Sequence, residues 1–123
     1  MVTHDLVKSF NAGAAVRGRR LVAIGAADFA VTEASASAIM VGVSTEYDTA
    51  LADQVDVVLA GIAEVVLGGT VARGARVTAD ANGQGVAAAP AAGVNANVVG
   101  FALASGVVGD IVPVLIQPHS LQG

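Results

Sequence analysis

The chain has 123 residues, of which 54% are hydrophobic and only 3% aromatic, with no Cys, no Trp and a formal net charge of -4. One domain is the natural reading of that length. The absence of Cys excludes disulfides and thiolate metal sites, and the acidic balance disfavours simple nucleic-acid binding. Phe10, Phe29, Phe101 and Tyr47 are the whole aromatic supply, so Val, Ile, Leu and Ala must build the core. These side chains bury less area each, and contacts between subunits are expected to add stability to so small a domain.

Residues 1–20 carry four of the six basic residues, Lys8, Arg17, Arg19 and Arg20, against Asp5 alone. This segment reads as an N-terminal arm or first strand. Its charge suits docking on an acidic surface, its own or a neighbour's, and equally suits plain solvation. The opening Met1-Val-Thr-His-Asp5 lacks the charged and apolar regions of a signal peptide.

Short Val/Ile/Leu runs separated by Gly, Asn, Asp and Pro follow, the pattern of a multi-stranded all-β domain. Residues 21–25 and 39–44 read as strands. Between them, the Ala-rich run 32–40 favours one short helix, with Thr32 or Ser35 as its cap. The block 54–67 is the clearest β signal, and Gly61 within it is either a hairpin corner or a kink in one long strand. Residues 76–79 and 84–88 read as a hairpin around Asp80-Ala-Asn-Gly83, since Asn-Gly suits a type I′ turn. Residues 98–103 and 110–116 complete the set. Pro113 places the last run at a sheet edge or at a bulge. Residues 117–123 read as a tail or as an arm to a partner. The domain proper is then 21–116, a small barrel or sandwich. The longest uncharged stretch, 81–109, is interrupted by Asn, Gln, Pro and Gly, which disqualifies it as a spanning helix.

Candidate chemistry is sparse. Gly83-x-Gly85-x-x-Ala88 matches a dinucleotide fingerprint on paper, but that motif needs a helix start facing the pyrophosphate, and Pro90 and the hairpin deny one. His4 and His119 lie near opposite ends without the further ligands that zinc requires. Glu46, Asp48, Asp53 and Asp56 are the densest acidic group, yet their spacing fits no calcium loop. Arg17-Gly-Arg-Arg20 lacks the interleaved aromatics of a single-strand binder. Catalytic, cofactor and metal sites are therefore expected to be absent, and no enzyme is expected.

Several segments carry a resemblance. Val55-Asp-Val-Val-Leu-Ala-Gly-Ile-Ala-Glu-Val65, Gly68-Gly-Thr-Val-Ala-Arg-Gly-Ala-Arg-Val-Thr-Ala-Asp80, Asn82-Gly-Gln-Gly-Val-Ala-Ala-Ala-Pro-Ala-Ala92 and Val99-Gly-Phe-Ala-Leu-Ala-Ser-Gly-Val-Val-Gly-Asp-Ile-Val-Pro-Val114 resemble tailed-bacteriophage capsid cement, or head decoration, proteins. That resemblance implies an all-β domain, a small β-barrel- or β-tulip-like fold with short hairpins and at most one short helix. It also implies a structural virion protein on the capsid exterior, made in the bacterial host cytoplasm. Its implied partner is the phage major capsid protein, whose expanded lattice it stabilises, commonly as a homotrimer, without cofactor, nucleic acid or membrane. Two other classes compete with this one. A lipoyl- or biotinyl-carrier barrel needs a Lys at a hairpin tip, and the only Lys is Lys8. A small ligand- or carbohydrate-binding β-module displayed on an assembly wants an aromatic platform, and the aromatics here are scattered.

Overall fold

A computed structural model describes residues 6–35 and 38–122. Nine strands follow one another: β1 (Leu6–Ala12), β2 (Leu21–Ile24), β3 (Ala30–Glu33), β4 (Met40–Ser44), β5 (Gln54–Val66), β6 (Arg76–Ala79), β7 (Gly85–Ala87), β8 (Asn95–Ala102) and β9 (Ile111–Gln122). The all-β expectation holds, and no helix occurs among the described residues. Where a short helix was expected over 32–40, Thr32 and Glu33 end β3 and Met40 opens β4, while residues 36 and 37 lie outside the described set. Pairing of Val31, Thr32 and Glu33 with β2 outweighs the helix propensity of the neighbouring alanines, because a β-branched residue fits a pleated, half-buried surface.

The first five strands close on themselves in the order β1-β3-β2-β4-β5, with β5 returning to β1. Inside this barrel lie Ala12, Val16, Val22, Val31, Val55 and Val57. The alternation of buried Val55 and Val57 with exposed Asp56 is the period-2 pattern of a strand with one wet face. β5 is a single strand of 13 residues, so Gly61 is a kink rather than a hairpin corner. Its φ of 98° is a conformation that glycine adopts without a side-chain penalty. Before Gly61, β5 pairs with β1; after it, β5 pairs with β9.

That kink joins two copies of one architecture. The second half of β5 takes the place of β1, while β6, β7, β8 and β9 take the places of β2, β3, β4 and the first half of β5. Every pairing of the first barrel has its counterpart, including the parallel β1–β3 contact, which returns as a parallel bridge between Leu67 and Gly85. Loop hydrogen bonds repeat as well. Val16 and Thr49 exchange bonds of 2.8 and 2.7 Å, and Val71 and Gly106 exchange bonds of 3.0 and 2.9 Å. Ala12 N donates to Asp53 O at 2.9 Å, as Leu67 N does to Asp110 O at 2.9 Å. Gly18 N donates to the Asp48 carboxylate, and Arg73 N to the Ser105 hydroxyl. Left-handed backbone recurs at Arg19 and Gly74, at Phe29 and Gly83, and at Ala52 and Gly109. Gly42 and Gly100 both sit where a Cβ would overlap a backbone carbonyl of the adjacent strand, Val58 O and Leu115 O respectively.

The halves are not two separate bodies. Leu21, Ala23, Met40, Val43 and Val58 from the outer face of the first barrel share one buried cluster with Val65, Val77, Ala79, Val99, Val114 and Ile116 from the second half. Two local expectations need revision. Pro113 lies in β9, which runs between β5 and β8 and is not an edge strand. Its carbonyl accepts from Leu103 N, just past the last residue of β8, so its missing N–H faces the point where that ladder ends. The 80–84 hairpin is present, but only Gly83 has positive φ, so its turn is not type I′. Instead the Asp80 carboxylate accepts from Asn82 N at 2.8 Å and Gln84 N at 3.0 Å, an Asx-type turn. Residues 117–122, read from sequence as a tail or as an arm to a partner, form the second half of β9 against β8.

Candidate partner-binding surfaces

The basic cluster Arg17–Arg20 faces the chain's own acidic groups. Arg17 N and Nε donate to Glu33 Oε2 at 2.8 and 2.9 Å, and Arg17 Nη2 donates to Oε1 at 2.9 Å. The Arg17 side-chain hydrogen bonds, offset in part by burial, hold the Glu33 carboxyl below the usual carboxylate range. Arg19 reaches Glu64 at 3.3 Å and Glu46 at 3.6 Å. Arg20 Nη1 donates to Asn82 O at 3.0 Å. Backbone bonds run alongside: Leu21 N donates to Gly83 O at 2.8 Å, and Val66 N to Arg19 O at 3.1 Å. The turn 17–20 is thus inserted between β5 and the 80–84 hairpin of the second half. Ser44, the buried polar residue at the end of β4, fastens it. Its hydroxyl donates to Arg17 O at 2.8 Å and accepts from Arg20 N at 3.0 Å.

The other sequence candidates do not converge. Asp48 accepts from Gly18 N, Asp56 accepts from Ser9 Oγ at 2.6 Å, and Glu46 faces Arg19. No group of three or more His, Cys, Asp or Glu that could hold a metal occurs among the described residues. His4 lies outside them. His119 stacks on Phe101 with ring centroids 5.4 Å apart, and Arg76 lies 5.3 Å over the same Phe101 ring. Arg76 Nε donates to His119 Nε2 at 3.3 Å, and His119 Nδ1 lies 2.6 Å from Gln117 O, an arrangement that suits the Nδ1–H tautomer. Gly83 and Gly85 bracket the hairpin, so the apparent dinucleotide fingerprint opens no helix.

Exposed apolar side chains are spread over the surface, and two groups of them are continuous. One is a cleft of about 350 Å³ between β1 and the β2–β3 hairpin, lined by Phe10, Ile24, Phe29, Val31 and Val41. Phe29 is 72% exposed and Ile24 61%. Phe29 also holds φ of 57°, a left-handed conformation that is rare for a bulky residue. The other is the outer face of the second sheet, where Ile62 pairs with Leu115, and Leu115 with Phe101 in turn; Leu103, Val108 and Ile111 continue it. Contacts between subunits are expected from the composition, but the composition does not say where exposed apolar groups lie.

No protein-family model matches the chain, and no curated protein matches it. Solved structures do. The N base of the head fiber gp8.5 of bacteriophage phi29 superposes with a TM-score of 0.71, over 98% of this chain and 100% of that one, at 21% identity. The two proteins share a fold. The shared fold spans both halves and the kinked strand that joins them, so it describes the entire domain rather than one barrel.

Proposed function

We propose that this protein is a structural component of the exterior of a tailed-phage virion, a cement or decoration protein that binds the major capsid protein lattice and stabilises its expanded form. The observation that carries this reading is the fold likeness, over 98% of this chain and 100% of that one, to the N base of a phage head fiber. The resemblance of 55–114 to capsid cement proteins points the same way. The side chains support a binding role rather than a catalytic one. Arg17, Arg19, Glu46, Asp48 and Asp56 are engaged within the fold, whereas large apolar side chains such as Phe29, Ile24 and Leu115 are exposed. In this role the protein works in several copies, a homotrimer being the number the resemblance implies. It needs no cofactor, nucleic acid or membrane. Many copies on a lattice sum modest contacts into a large stabilisation, and binding only the expanded shell shifts the equilibrium towards it by mass action.

Co-sedimentation with purified heads tests the reading. Saturable binding to expanded heads, and weaker binding to unexpanded ones, is the expected result. A protein left wholly in the supernatant by both overturns it. An N-terminal arm to the shell is tested by deleting residues 1–5 only. A deletion through Phe10 also removes β1, whose pairing with β5 closes the first barrel.

A further inference from the structure

The two halves are built alike but buried unequally, and the inequality is directional. In the second half, Val65, Ala79, Val99 and Ile116 are all buried, in the cluster shared with Leu21, Ala23, Val43 and Val58 of the first half. The corresponding positions in the first half are Phe10, Ile24, Val41 and Leu59, and none of them is fully buried. Ile24 is 61% exposed where its counterpart Ala79 is 2%. Conversely, the face that the first half uses for docking, Leu21, Ala23, Val43 and Val58, corresponds to Arg76, Thr78, Phe101 and Leu115. In the second half this face is only partly covered, Phe101 by Arg76 and His119, and Leu115 is 38% exposed where Val58 is 7%. The inserted turn 17–20 likewise corresponds to 72–75, where Arg73 is exposed. Each chain therefore carries one used contact in its middle, one unused socket on its first half and one unused plug on its second.

We infer that copies of this chain associate head to tail. The second-half face of one copy (Arg73, Arg76, Phe101, Leu115) seats in the first-half cleft of the next (Phe10, Ile24, Phe29, Val41), repeating the contact that joins the two halves within the chain. Phe101 and Leu115 supply the apolar part of the plug, where Val43 and Val58 stand in the internal contact, while Arg76 and Thr78 replace Leu21 and Ala23. Charge is complementary as well, since Arg73 and Arg76 on the plug meet a cleft that carries Asp28, and Arg19 of the inserted turn already meets Glu64 across the two halves inside the chain. The left-handed Phe29 belongs to this contact. Its counterpart is Gly83, whose carbonyl accepts Leu21 N of the inserted segment, while Phe29 holds its side chain out at the cleft. In the isolated chain Phe29 O accepts from Asn11 N at 2.8 Å; insertion exchanges that single bond for two with the incoming turn. A contact of this kind is heterologous, so copies close into a ring if the rotation between them permits and otherwise extend.

Sedimentation velocity and light scattering on the full chain, without heads, test this inference separately from the virion role. Wild type is expected to gain mass from 12.0 kDa as its concentration is raised from micromolar to millimolar. Ile24→Asp disables the socket and Leu115→Asp disables the plug. Each alone is expected to stay monomeric, while an equimolar mixture forms one-to-one dimers and nothing larger, the signature of a heterologous contact. Phe29→Gly is the second socket variant, because it relaxes a left-handed residue and keeps the fold. A wild type that stays at 12.0 kDa throughout, or single variants that self-associate as wild type does, or a mixture that forms no dimer, overturns the proposal.

Discussion

Ser44→Ala tests whether the inserted turn is what fastens the halves together. Ser44 is 2% exposed, and its hydroxyl bonds both Arg17 O and Arg20 N. Alanine fills nearly the same volume, so packing changes little. What is lost is the partner of a backbone N–H and of a backbone C=O in a part-buried turn, and stranding such groups costs about 1–3 kcal/mol. A domain of this size shifts by roughly 4 °C per kcal/mol, so the melting temperature should fall by about 4–12 °C. In urea the midpoint should fall with the slope unchanged, because the surface exposed on unfolding is the same. Ser105→Ala is the matched control. Its hydroxyl accepts a single bond, from Arg73 N in the exposed counterpart loop, where water replaces the lost partner, and the loss should stay under about 1 kcal/mol. If Ser44→Ala melts within about 1 °C of wild type, or if Ser105→Ala costs as much, the turn is not held as described.

The internal duplication makes paired predictions. Gly42→Ala and Gly100→Ala each drive a Cβ into a neighbouring backbone carbonyl and should each destabilise by about 2–3 kcal/mol or more; urea melts of the two should agree. Gly109→Ala should cost only about 1 kcal/mol, because its counterpart Ala52 already holds φ of 70° and nothing lies near the added Cβ. A larger loss would count against the equivalence. Glu33 has a lowered carboxyl pKa in the fold, with its Arg17 hydrogen bonds as the main cause. Its contribution to stability is therefore complete above the unfolded Glu value of about 4.3 and fades as pH falls through the lower folded value. Glu33→Gln should be less stable than wild type at neutral pH, and the difference should shrink in melts taken below about pH 4.

Much of the fold is legible from the chain because the relevant signal is local. β2, β4 to β6 and β8 announce themselves as Val-rich runs bounded by glycine, and β7 follows from the Asn82-Gly83 turn. β3 hides among alanines and serines, since its strand character comes from pairing with β2 rather than from its own sequence. β9 is longer than its apolar run because Gln117 to Gln122 gain order from β8, a partner distant in sequence. The duplication leaves few identities, such as Gly13 with Gly68, Val16 with Val71 and Val22 with Val77. Elsewhere one backbone conformation is held by Arg19 in one half and by Gly74 in the other, so side chains conceal what φ reveals. The arginine cluster was visible as charge, but its partners Glu33, Glu64 and Asn82 are brought to it only by folding.

Titration of purified expanded heads with this protein tests its attachment to a phage head most directly. Bound protein should rise to a plateau at a fixed number of copies per capsid subunit, and the decorated heads should withstand a higher temperature or lower salt before releasing DNA than bare ones. Binding that never saturates, or a plateau that leaves head stability unchanged, would contradict the account.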